Sequence, residues 1–184
     1  MSSKVFLLPA VCLAIYLSGC EQSKPPGLAD KKATPSIAPA AEKLSLARPD
    51  FITTQPFELG GACNMETLNG KLWGATIVSI DPSLPFAISG WGADAKQGTA
   101  PTQVYLRLQN AKNQEFYAPA PIVLRGDLRE YFGKAFYEKS GYTATVDAQA
   151  LPPGEYQAMI VMNVGGRTML CASGRKLILE GGKK

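Results

Sequence analysis

The stretch Gln103-Val104-Tyr105-Leu106-Arg107-Leu108-Gln109 decides the class of fold. Val104, Leu106 and Leu108 alternate with Tyr105, Arg107 and Gln109, the period of two of a strand with one buried face. The same short apolar runs, divided by turn residues, recur at 63–68, 75–80, 86–91, 115–118, 142–147, 156–164 and 168–179. The last run carries a break near Gly174. This spacing predicts an all-β sandwich. Asn69-Gly70 and Gly165-Gly166 mark hairpin-like turns. One segment departs from the rhythm: Leu128, Tyr131, Phe132, Ala135 and Phe136 fall on one face of a helix. The pattern predicts a short helix from 128 to about 137, with its aromatics in the core. Asp127 is expected to cap it, and Glu130 three residues later to complete a capping box.

Composition bounds what this fold can do. The chain has 184 residues, 46% of them hydrophobic, enough for a real core. It contains no histidine, which excludes Ser/His/Asp and Cys/His catalysis and every His-ligated metal site. The formal charge is +4, but residues 58–179 hold eleven Lys/Arg against ten Asp/Glu. The basic surplus therefore sits outside the strands and forms no patch, so nucleic acid is not an expected partner. Asp81, Asp94 and Asp147 lack the regular oxygen-ligand spacing of a calcium loop and read as turn formers. No cofactor and no metal are expected.

Before the strands lies a different kind of sequence. Lys4 precedes an apolar run from Val5 to Leu17, too short to span a bilayer and built like a secretory signal. Its end, Leu17-Ser18-Gly19-Cys20, resembles the lipobox of bacterial lipoproteins. That resemblance implies cleavage of a signal peptide over 1–19 and a diacylglycerol on the Cys20 sulfur, with an acylated amino group. Two or more acyl chains anchor a protein stably where one does not. Residues 21–56 hold six prolines among Ala, Lys and Ser, which predicts a semi-extended tether over 20–56 and a sandwich over 57–180. Residues 181–184 form a basic tail. The expected location is the cell envelope, with the periplasmic face of the outer membrane favoured over the inner membrane.

Several motifs sharpen the reading. Leu151-Pro152-Pro153-Gly154-Glu155-Tyr156 resembles the tyrosine corner of Greek-key sandwiches. With Ile88-Ser89-Gly90-Trp91-Gly92, Arg125-Gly126-Asp127-Leu128 and Ser140-Gly141-Tyr142, it resembles the immunoglobulin-like accessory domains of bacterial cell-surface and polysaccharide-assembly proteins. The resemblance implies an immunoglobulin-like antiparallel β-sandwich without catalysis of its own. Cys12 leaves with the signal and Cys20 takes the lipid, so Cys63 and Cys171 remain in an oxidising compartment and are expected to form a disulfide. Arg125-Gly126-Asp127 spells an integrin-binding tripeptide, but Asp127 already has a structural role. Trp91, in its strand, is expected in the core. Trp73, in a turn after Lys71 and Leu72, is the candidate surface binding residue, since an exposed ring offers a face for stacking.

These readings predict a lipid-anchored, non-catalytic binding or assembly module of the envelope, with an envelope protein or a surface polysaccharide as partner. A structural subunit that offers a sheet edge for strand addition is the alternative. A small hydrolase using two of Glu66, Glu115, Asp127, Glu130 and Glu138 ranks third.

Overall fold

The computed structural model describes residues 40–52 and 57–181. The expected signal peptide over 1–19, the lipidated Cys20, the tether up to residue 39 and from 53 to 56, and the tail beyond Gly181 lie outside the described residues. Twelve strands are described: β1 (Glu42–Lys43), β2 (Glu58–Leu59), β3 (Ala62–Leu68), β4 (Lys71–Leu72), β5 (Ile77–Ile80), β6 (Phe86–Ala93), β7 (Gln103–Asn110), β8 (Glu115–Pro119), β9 (Ile122–Val123), β10 (Gly141–Asp147), β11 (Gly154–Val164) and β12 (Arg167–Leu179). One helix, α1 (Gly126–Phe132), lies between β9 and β10.

The strands form two sheets. One runs β1-β10-β6-β3-β4 with β9 also on β10; the other runs β2-β12-β11-β7-β8 with β5 also on β12. In immunoglobulin lettering β3, β6 and β10 stand as A, B and E, and β12, β11, β7 and β8 as G, F, C and C′. The long pairings are antiparallel as expected, whereas β1, β2 and β5 join their neighbours in parallel at the margins. Val104, Leu106 and Leu108 point into the inter-sheet core against Phe86, Ile88 and Ile160. The Tyr156 hydroxyl donates to the Pro152 carbonyl at 2.7 Å, which makes the tyrosine corner real. Cys63 on β3 and Cys171 on β12 are joined by a disulfide between the sheets, their Cα atoms 6.4 Å apart. The break in β12 is a bulge: Ala158 faces Arg175 but Met159 faces Ala172, so Ser173 and Gly174 (φ 72°) are extra residues.

Three expectations need correction. The tether is expected to run to residue 56, yet residues 42–52 belong to the sandwich. β1 pairs with β10, Ser45 bridges to Tyr117, and Ile52 is buried with Phe51 on the outer face of the second sheet. Prolines forbid regular helix or central strand but not docking, and the apolar side chains of Leu44, Phe51 and Ile52 dock this stretch. The single helix is also two pieces. Gly133 turns left-handed after Phe132, and a separate 3₁₀ turn runs over Ala135–Lys139. Tyr131 is consequently 82% exposed and Tyr137 is buried in its place. Finally, Asp127 is not the N-cap: the helix begins at Gly126 with Arg125 in the cap position, so Asp127 lies in the first turn, where its carboxylate accepts from the Arg125 guanidinium at 2.6 and 2.8 Å.

Gly90 leaves room for the Tyr142 side chain to cross β6 and donate its hydroxyl to the Asn64 carbonyl at 3.1 Å within the same sheet. A Cβ there would meet the Asn64 carbonyl, and the Tyr142 hydroxyl at 2.7 Å. We expect Gly90→Ala to lower stability by about 1–3 kcal/mol, because backbone cannot yield as a side-chain tip can. Tyr156→Phe should cost about 1 kcal/mol. Urea midpoints with unchanged slopes check both.

Candidate functional site

Asn69 (φ 51°) and Gly70 (φ 72°) reverse β3 into the short ribbon β4. Asn69 suits the left-handed turn as few residues with a Cβ do, and its side-chain carbonyl accepts the Ala87 N–H at 2.8 Å. The ribbon stops at Leu72. The Trp73 N–H still donates to the Glu66 carbonyl at 2.8 Å, after which the chain leaves the sheet towards β5. This early ending leaves a cleft on each side of the ribbon. One, of about 400 Å³, is lined by apolar groups including Leu68, Trp73, Val78, Ile80 and Leu84. The other, of about 510 Å³, lies among Asn64, Glu66, Thr67, Trp73, Arg125 and Arg175.

Trp73, expected on the surface, is only 3% exposed, so that expectation is overturned. Its ring packs into the inter-sheet core and lies beneath the Arg175 guanidinium, 5.7 Å from the ring centroid. Trp91 goes the other way. It stands half-buried on the outer face of its sheet, edge-on to Phe132 at 5.2 Å and Tyr137 at 5.6 Å under α1. The residue that reaches solvent beside Trp73 is Leu72, 87% exposed at the tip of the ribbon. A lone Leu in a turn carries no sequence signal for this. Arg175 could have been found only by knowing that the bulge at Ser173-Gly174 moves it beside β4.

Charge in the larger cleft is arranged by pairing. Arg125 donates to Glu66 at 2.7 Å and to Asp127, and the hydrogen bond with Asp127 leads in raising its already high pKa. Asp127 is held below its ordinary value by the same bond. Of the remaining hydrolase candidates, Glu138 pairs with Arg129 at 3.0 Å and Glu115 lies on the far sheet. The structure therefore brings Glu66 and Asp127 together only through Arg125. Asp81, Asp94 and Asp147 each accept a backbone N–H two residues on, the turn role expected of them. Among the described residues no cluster of three potential metal-ligating side chains exists. No helix among them is long and apolar enough to cross a membrane.

Across the molecule a second ionic group engages Arg48 and Phe57. Arg107 is 6% exposed on the outer face of its sheet; it bonds to Glu115 and lies 5.2 Å from the Phe57 ring centroid. Arg48 reaches Glu115 at 3.1 Å, and the Tyr117 hydroxyl donates to it at 2.6 Å. Burial works to raise the Glu115 pKa, but the bonds from Tyr117 and Arg107 and the two cations outweigh it and leave the pKa lowered. Burial, with the Glu115 carboxylate beside it, pushes the Tyr117 phenol up to about 12.

Comparison with known proteins finds no matching family model, no matching curated protein and no matching solved structure.

A carboxylate whose pKa is depressed on folding stabilises the fold above its unfolded value and stops doing so as pH falls through the folded one. Stability should thus hold at neutral pH and decline as pH drops below the ordinary glutamate value of 4.5. Glu115→Gln should flatten that acid limb in denaturation midpoints measured from pH 7 to pH 2.

Proposed function

We propose that this chain is a membrane-anchored bacterial lipoprotein whose immunoglobulin-like sandwich is a non-catalytic binding or assembly module of the cell envelope. Its anchor is Cys20, and its partner is an envelope protein or a surface polysaccharide. The observation that carries the binding role is the pair of clefts beside the β4 ribbon, with Leu72 exposed between them. Concave sites of a few hundred Å³ with few polar groups are where ligands settle. The carboxylates nearest the larger cleft are held by Arg125 as counter-ions, an arrangement suited to fixing shape and charge. A general acid needs a raised pKa, and Asp127 has the reverse.

The strand-addition reading has less support. Among the described residues the marginal strands β1, β2, β4 and β9 are two residues long and β5 is four. β8, of five, ends at Pro119 and is bridged by Ser45. Such short, interrupted margins offer little backbone to an incoming strand.

The test is made in the envelope. Intact mass of the extracted protein should show a chain beginning at Cys20 with fatty adducts. A photo-crosslinker at Leu72 should give a discrete adduct that one at Lys112 does not. An unprocessed Met1, or identical patterns from the two positions, would contradict the proposal.

A further inference from the structure

We propose that the larger cleft beside β4 binds a small hydroxylated carboxylate, the chemistry of an acidic sugar unit, with Arg175 as its anion-binding residue. This rests on the binding-module reading and names its ligand class. Six arginines are described, and five of them face a carboxylate: Arg48 and Arg107 share Glu115, Arg125 holds Glu66 and Asp127, Arg129 holds Glu138, and Arg167 holds Asp94 and Glu58. Arg175 is the exception. Among the described residues its only partners are the Ala75 carbonyl, at 2.9 Å, and the Trp73 ring. The guanidinium is thus oriented by two neutral contacts on the wall of a cleft, with its charge unanswered.

Guanidinium favours planar, bidentate oxygen pairs, and a carboxylate supplies one. The rest of the cleft describes the rest of the ligand. The Asn64 amide and the Thr67 hydroxyl have no side-chain hydrogen bond among the described residues and suit hydroxyl groups, while Leu72 offers apolar surface. Glu66 and Asp127 are both engaged by Arg125 and so point their charge at that guanidinium, which leaves the anion to be held by direct pairing with Arg175 rather than by a net positive cleft. A space of about 510 Å³ admits a ligand of one or two sugar rings but no folded partner. Trp73 Nε1, sealed behind the same wall, has no acceptor among the described residues, so its ring reports on movement of the wall.

The full lipidated chain in detergent, carrying Trp91→Phe so that Trp73 is the one tryptophan, is titrated with glucuronate, a galacturonate oligomer, a neutral malto-oligosaccharide and inorganic phosphate. Heat and Trp73 emission are followed together. Saturable binding of glucuronate or of the galacturonate oligomer, with a change in Trp73 emission, is expected. Glucuronate as the tighter ligand points to a free acidic sugar, and the oligomer to a unit within a longer glycan; either supports the proposal. Arg175→Gln should weaken binding by about tenfold or more. Should that variant fail to fold, Thr67→Val in a folded chain should weaken binding severalfold. Phosphate bound as tightly as the acidic sugars, the neutral oligomer bound as tightly, unchanged affinity in the variants, or no binding at all would overturn the proposal. A Leu72 crosslink in the envelope alongside no acidic-sugar binding would sink this inference and leave the binding-module reading standing.

Discussion

The disulfide between Cys63 and Cys171 is the constraint on which the candidate site depends. An immunoglobulin sandwich of the antibody kind bridges its sheets at the centre, between the strands lettered B and F. This one bridges them at the margin, between A and G. The change places a covalent link where the two sheets would otherwise part, on the strand from which β4 turns. Closing a 108-residue separation removes, in the chain-entropy account, on the order of 4–5 kcal/mol of unfolded-state freedom. β4 has only two residues of pairing, so it could not hold Trp73 against the core by itself. The bond fixes β3 and β12, and those two strands position Asn64, Thr67 and Arg175 around one space.

Polar closure elsewhere serves the same end. The Arg48–Glu115–Arg107 group fastens residues 48–52 across the outer face of the second sheet, with Phe51 against Tyr105 at 5.9 Å and Ile52 buried beneath. Thr168 donates its hydroxyl proton to the Phe51 carbonyl at 2.9 Å and ties the same stretch to β12. The chain thus arrives at β3 from a docked segment.

Much of the fold was legible in the sequence because period-two alternation and turn glycines are local signals. Val104, Leu106 and Leu108 announced their strand, Gly174 its bulge, and Tyr156 its corner. What escaped was set by partners far along the chain. Phe51 and Ile52 sit among prolines, and their burial depends on a sheet face formed more than fifty residues later. Asp127 had the sequence of a helix cap, but the Arg125 guanidinium, itself shared with Glu66, takes its carboxylate in a charge-assisted bond. The two tryptophans exchanged environments for a related reason. Trp91 alternates with the inward residues of β6 and so faces outward, while Trp73 follows a ribbon that folds back onto the open margin. The site was read least well. Its key cation, Arg175, lies 102 positions after Trp73, and only the bulge brings them together.

Hydrogen exchange on the folded protein, before and after selective reduction of Cys63–Cys171, examines the marginal staple directly. The account predicts that amides of β3 and of Trp73 lose protection while those of β7 and β11 keep it, since the centre of the sandwich does not rest on that bond. Unchanged protection at Trp73 and β3, or an equal loss through every strand, would contradict it.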